Sequence, residues 1–342
     1  SRDTKMAKQK NAIMDYVTKV LNAMALGLFS SLIVGLILEQ AGILFGLEKL
    51  EIFGKYAKLL MGPAIGVAVA RSVNASPLGI FSAAVAGAIG AGTFSSLPMA
   101  KVGEPVGAFL AALIGAEASK LVGGKTKVDI ILVPVTTIIV GGLVGVYVAP
   151  GVAAFMKGLG DVINEATKLH PLPMGILVSV IMGMVLTAPI SSAAVAISLG
   201  LDGLAAGAAA VGCSAQMIGF AVMSFKENGV GGFIAQGVGT SMLQFPNIVK
   251  NPLIWIPPTL ASAILGPLST MVFKMTNIPE GAGMGTSGFV GQIGALTAMG
   301  SAAWPGIIVL HIVLPGILTY VFAEFMRKKG WIRSEHLLLQ SN

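Results

Sequence analysis

Cutting the chain at every Lys, Arg, Asp and Glu leaves eight long uncharged runs, at residues 20–38, 72–100, 130–156, 171–201, 203–225, 228–249, 251–273 and 281–323. A helix needs about 20 residues to cross the hydrocarbon core of a bilayer; seven of the runs exceed that length and the first lies within the usual range. Two shorter runs, 59–70 and 105–116, reach span length only if Arg71, Glu104 or Glu117 enters the membrane with them, and they are read as spans too. The run 281–323 is too long for one helix and opens with Gly281, Gly283, Gly285 and Gly288, so it predicts a re-entrant or broken segment followed by a span near 303–326. The pattern predicts an all-α polytopic membrane protein of about ten transmembrane helices with re-entrant hairpins.

One stretch between the runs has a different period. Val152, Phe155, Met156, Leu159, Val162, Ile163 and Ala166 recur at helical spacing, with Lys157, Asp161, Asn164, Glu165 and Lys168 opposite. This predicts an amphipathic helix lying at the membrane interface. Residues 11–21, with Ile13, Met14, Val17, Val20 and Leu21 on one side, predict a second, shorter one. The expected organisation is a tail with an interfacial helix (1–19), a first half of about five spans (20–150), a linker helix (151–170), a second half with re-entrant hairpins (171–326) and a second tail (327–342). Arg2, Lys5, Lys8 and Lys10 precede the first span and Arg327, Lys328, Lys329 and Arg333 follow the last, so the positive-inside rule puts both termini in the cytoplasm. The basic start also resembles a signal peptide, but so many spans follow that it is read as an uncleaved first span.

Composition narrows the class. Of 342 residues, 55% are hydrophobic and 11% charged, against about 25% charged in soluble domains, which excludes a soluble globular enzyme and also disorder. The net charge of +7 comes from basic residues at the ends of apolar runs, not from a clustered basic face, so no nucleic-acid partner is expected. Cys213, alone and inside an apolar run, offers no disulfide framework. No Walker loop, dinucleotide glycine fingerprint, HExxH or CxxC is present, which excludes ATP-driven pumping by this chain alone; no cofactor or metal is expected.

Unwound backbone at membrane depth is tolerated only where it is buried in protein or lines a cavity. Three breaker segments occur: Thr187-Ala188-Pro189-Ile190-Ser191-Ser192; Gln244-Phe245-Pro246-Asn247, with Thr240 and Ser241 one turn earlier; and Gly283-Met284-Gly285-Thr286-Ser287-Gly288, with Gln292 one turn on. Each alone reads equally as a proline kink or a glycine packing contact. Together they favour a polar solute site in the second half, with Thr187, Ser191, Ser192, Gln244, Asn247, Thr286, Ser287 and Gln292 as hydrogen-bonding groups. Ionisable residues at membrane depth are functional candidates by default. Glu104 opens a helix, where its charge is favoured, and is read either as a helix-start carboxylate or as the partner or base for a solute hydroxyl. Arg71 and His170 read as interface residues, His311 as a packed histidine, and Gln216 as a buried amide bonding a neighbouring helix or a ligand.

Five pieces, in order, carry a family resemblance: Pro63 to Ser72, Gly103 to Ala112, Met174 to Ala194, Gln244 to Asn251 and Gly281 to Gly288. In these the chain resembles the membrane-spanning IIC component of bacterial sugar phosphotransferase systems. It is most similar to the fructose-type branch and to stand-alone IIC-like proteins of the perfringolysin-regulator type. The likeness covers about residues 20–325. It implies a homodimer in the bacterial cell membrane, a sugar site built by re-entrant hairpins, and separate cytoplasmic phosphoryl-carrier proteins. The sequence departs from the fructose-type pattern where Leu186 to Ser192 carries neither the acid nor the Lys of that branch, and where Gly285-Thr286-Ser287-Gly288 stands for its His-Gly-Gly. The expected function is transport of a small polar solute, a sugar above all, by relative movement of two halves. The alternative is a sensor that binds its ligand without moving it. The chain has no catalytic constellation of its own and would join in sugar phosphorylation only through partner proteins.

Overall fold

The computed structural model describes residues 1–95, 99–190 and 192–340. Among the described residues every regular element is a helix, with one isolated bridge between Gly203 and Asn277. The chain forms two compact units, Ser1–Phe155 and Met156–Asn342.

In the first unit α1 (Arg2–Leu28) passes through a π-helical turn at Phe29–Ile33 into α2 (Val34–Phe45). Gly46, at φ 67°, ends α2 in the left-handed conformation that glycine takes without a Cβ penalty. The chain then returns as α3 (Glu48–Leu59), tied to α2 by Lys58 and Glu39 at 2.6 Å. α4 (Met61–Ser72), bent by 54° from α3, α5 (Pro77–Ala91) and α6 (Pro105–Val122) pack on one another. Ser76 caps α5 by accepting from the Gly79 amide, with Pro77 at the first helical position, where its missing N–H costs nothing. α4 and α5 come so close that a Cβ on Gly66 would collide with the Ala83 carbonyl oxygen, and one on Gly87 with that of Gly62. In a membrane lipid is as apolar as Leu, so helices gain by such close backbone approach rather than by hydrophobic burial.

α7 (Asp129–Thr167) is one 39-residue helix with Pro134 and Pro150 inside it. The amphipathic stretch 152–168 is therefore the continuation of the preceding span rather than a separate helix. Likewise residues 11–21 lie within the unbroken α1.

The second unit is built around α10 (Gly203–Met223), almost every residue of which is buried. α8 (Pro171–Thr187) and α13 (Ile256–Pro267) flank it, and α17 (Leu314–Lys328) packs on both α10 and α13. Here again glycines set the spacing: a Cβ on Gly212 would meet the Ser179 carbonyl oxygen, and one on Gly266 that of Gly175. Ser179 donates to the Ser262 carbonyl at 2.8 Å, linking α8 to α13. Between these helices the chain is broken into short pieces: α9 (Ser192–Leu199), α11 (Phe225–Ile234), α12 (Phe245–Lys250), α14 (Pro279–Ala282), α15 (Val290–Met299) and α16 (Trp304–Gly306).

Among the described residues, six helical stretches are long and apolar enough to cross a membrane, or seven if α3 and α4 count as one bent span. The ten uncharged runs divide more finely for physical reasons. The run 72–100 yields only the 15-residue α5, because Ser76-Pro77 and Gly92 cut it at both ends. The run 171–201 is interrupted after the 17-residue α8 by extended backbone at Ala188. The run 228–249 is not one helix: Gly229 (φ 65°) breaks α11, Ala235–Gly239 is π-helical and Thr240 is extended. In the run 281–323, Gly300 (φ 62°) separates α15 from the chain leading to α17.

The glycine contacts make a direct prediction. Gly212→Val should destabilise the purified protein by about 1–3 kcal/mol, read as a lowered melting temperature in detergent. Gly158→Ala in α7, whose added Cβ meets nothing within 4 Å, should leave the melting temperature unchanged or slightly raised.

Candidate functional site

Of the three breaks in the second unit, the first and third meet the central helix α10 through side chains, and the second is joined to the first through Ser241. At the first, α8 ends on Thr187 and the chain turns extended at Ala188. The Thr187 hydroxyl, fully buried, lies 2.9 Å from Gln216 Oε1 of α10 and 2.8 Å from the Ser241 hydroxyl. Gln216 uses its whole carboxamide: Oε1 also accepts from Trp255 Nε1 at 3.0 Å, and Nε2 donates to Thr259 Oγ1 at 3.0 Å. Trp255 and Thr259 stand four residues apart at the start of α13, so one helix face presents both. Ser192, beginning α9, donates to the Gly283 carbonyl at 2.6 Å and so fastens the first break to the glycine-rich one. Ser191 lies outside the described residues.

At the second break the two amides read from the sequence turn toward the end of the chain. Gln244 Nε2 donates to Gln236 Oε1 at 2.9 Å and to the Leu337 carbonyl at 3.0 Å. Asn247 Nδ2 donates to Gln244 Oε1 at 2.8 Å and to the Leu338 carbonyl at 2.9 Å. Asn228 grips the same strand of backbone from the other side, donating to the Leu337 carbonyl at 2.9 Å and accepting from the Leu339 amide at 2.8 Å. Beside them Arg327 pairs with the buried Glu227 at 2.8 Å and donates to the Met223 carbonyl at 2.7 Å.

At the third break α14 leads into a turn with Gly285 (φ 54°), Gly288 (φ 51°) and Phe289 (φ 59°) all left-handed. The turn is held from outside: Thr286 donates to the Gly237 carbonyl, and Asn277 Nδ2 to that of Gly291 at 2.9 Å. Gln292 Nε2 reaches Ser214 Oγ of α10 at 3.4 Å and His311 Nδ1 at 2.8 Å. With the amide as donor, His311 Nδ1 accepts and the ring proton sits on Nε2. His311 Nε2, Gln292 Oε1 and Ser287 Oγ are buried and have no hydrogen-bond partner among the described residues. Unpaired polar atoms in a membrane interior are costly. His311 lies on a π-helical stretch, Ile307–Val313, a geometry that recurs at functional sites.

Glu104 belongs to the first unit. It stands just ahead of the span Pro105–Val122, which takes in Glu117 and leaves Glu104 outside. Its amide donates to the Ala91 carbonyl at 3.0 Å, and its carboxylate makes no capping bond to α6. Burial pushes that carboxyl up to about 7, with Lys101 pulling the other way.

The sequence reading singled out Thr187, Ser192, Gln216, Thr286 and Gln292, and the second unit ties all five to α10 or to the neighbouring breaks. Gln236, Trp255 and Thr259 were missed; the Trp255/Thr259 spacing was the one signal for them.

A family model, Phosphotransferase system, EIIC, matches residues 18–339. A match over nearly the whole chain defines the class: a multi-pass membrane protein of sugar transport. The chain belongs to the EIIC family of phosphotransferase systems, of which it is a membrane component. No curated protein and no solved structure matches it.

Two predictions follow from this geometry. Gln216→Leu removes the partner of Trp255 and Thr259 and one of the two partners of Thr187, and should cost about 2–3 kcal/mol, with a shift in Trp255 fluorescence; Thr259→Val should cost less. For Glu104, a folded pKa near 7 lies above the unfolded value, so the folded chain binds the extra proton between about pH 4.5 and 7. Stability should fall as pH rises through that window, and Glu104→Gln should flatten that part of the melting-temperature profile.

Proposed function

We propose that the chain carries a sugar across the membrane by alternating access, coupled to phosphoryl transfer through separate cytoplasmic proteins. The observation that carries the reading is the buried polar network in which the first and third helix breaks meet α10 and the second joins them through Ser241 and Gly237, inside a chain of the EIIC family. Discontinuous helices with free backbone and hydroxyls are how membrane carriers build solute sites near the bilayer midplane. Thr187, Ser191, Ser192, Thr286, Ser287 and Gln292 form the solute-binding set, with Gln244 and Asn247 at its edge, where their donors hold the chain's own backbone. Within the first unit, Glu104 keeps its separate reading as a hydroxyl partner or base. The match to the EIIC family favours transport over the sensing alternative.

The finer architecture belongs to the same proposal: about ten membrane passes, reached by counting the shorter apolar helices α5 and α8 and the broken 228–249 segment as passes. α15 has 10 residues, a rise of roughly 15 Å, half the hydrocarbon thickness, which supports reading 279–299 as a re-entrant hairpin. The proposal includes membership of the fructose-type or regulator-type branch, assembly as a homodimer, and cytoplasmic termini by the positive-inside rule.

Reconstituted protein should take up labelled sugar, with flux raised by phosphoryl-carrier proteins. Thr187→Val and Gln292→Leu should each lower the uptake rate about tenfold or more while the protein still elutes as a folded species in detergent. Sugar binding measured by thermal shift, with no flux under any donor condition, would overturn transport in favour of sensing.

A further inference from the structure

Where α13 begins and α17 ends, the second unit opens a groove of about 420 Å³ lined by Leu253, Ile256, Leu260, Phe322, Phe325, Met326 and Trp331. The lining is apolar throughout, and Leu253, Ile256, Leu260, Phe325 and Trp331 are all exposed. Leu253 to Leu260 spans roughly 11 Å of helix rise, about the outer third of a 30 Å hydrocarbon core. Both walls belong to membrane-spanning stretches, Pro252–Phe273 and Ser287–Lys328, at the ends where those stretches meet the interface.

The mouth of the groove is basic. α17 ends on Lys328, followed by Lys329, whose ammonium sits 5.7 Å from the centre of the Phe325 ring that forms one wall. Both lysines are exposed and neither has an acidic partner among the described residues, whereas the adjacent Arg327 is taken by Glu227 and Glu324. Trp331 stacks edge-on against Phe325 at 6.1 Å, and its backbone is pinned by the Met326 carbonyl and by Asn251. An amphipathic ring fixed at that level is the arrangement by which proteins mark the headgroup layer. Apolar walls with an exposed ammonium, that of Lys329, over one of them and Lys328 next to it in sequence match a single kind of molecule, one with a hydrocarbon tail and a negative head.

We propose that this groove is a binding site for an anionic phospholipid of the bilayer, its acyl chain between α13 and α17 and its phosphate on Lys328 and Lys329. A zwitterionic lipid fits the walls equally well but gains less at the mouth, where each lysine near the surface is worth about fivefold in affinity for anionic lipid. The site is separate from the polar network on α10, so it stands whether or not the sugar reading does.

The test uses the full chain in detergent with brominated phosphatidylglycerol or brominated phosphatidylcholine as quencher. The Trp331 signal is isolated by subtracting the Trp331→Phe variant from the parent. Phosphatidylglycerol should quench Trp331 at a several-fold lower mole fraction than phosphatidylcholine, and the Lys328→Gln/Lys329→Gln double variant should bring the two curves together. Leu260→Phe, which narrows the groove and leaves both lysines in place, should weaken quenching by both lipids. Equal quenching by the two lipids in the parent protein would overturn the proposal, leaving only unselective contact with the surrounding bilayer. A preference that survives loss of both lysines would overturn the headgroup assignment.

Discussion

Every backbone amide and carbonyl inside a bilayer must find a partner within the protein, and the second unit is organised by that requirement. Where α8 stops, where the 235–247 segment unwinds and where the glycine turn at 283–289 reverses direction, the helix no longer satisfies its own groups. Side chains do so instead: Ser192 on the Gly283 carbonyl, Thr286 on that of Gly237, Asn277 on that of Gly291. The first two of these bonds join one break to another, and the third closes the glycine turn on itself. The breaks therefore form a mutually dependent set.

The close glycine contacts complement this arrangement. Helices that touch backbone to backbone leave little room for independent adjustment, so α8, α10 and α13 provide a stiff frame. The short, irregular pieces between them are joined to that frame by side-chain hydrogen bonds instead.

How much of this was legible in the sequence differs from level to level. The membrane class and the helical character follow from charge spacing alone, because the cost of burying Lys, Arg, Asp or Glu is large and local. The three breaks were legible because Pro189, Pro246 and the 283–288 glycines each have a stereochemical reason to interrupt a helix. What charge spacing cannot convey is continuity. Residues 130–156 and 152–168 look like two elements but form the single helix α7, since an amphipathic face changes which side of a helix meets water without breaking it. Partner choice was likewise hidden. Gln244 and Asn247 read as solute ligands on composition, yet their donors meet carbonyls some 90 residues away in sequence, at Leu337 and Leu338. No local pattern encodes so long a connection.

That long connection bears on the order in which the molecule can be assembled. Leu337 is fully buried in a cluster with Phe220, Met223, Ile248, Ile254 and Ile332, and its carbonyl and that of Leu338 take up the amides of Asn228, Gln244 and Asn247. A ribosome produces these amides long before it produces the strand that meets them. During synthesis the 228–247 segment waits, with its buried donors and part of its apolar cluster uncovered, until residues 337–339 emerge. The second unit is thus completed only when residues 337–339 join it, and a nascent chain halted before that point leaves apolar surface exposed to aggregation.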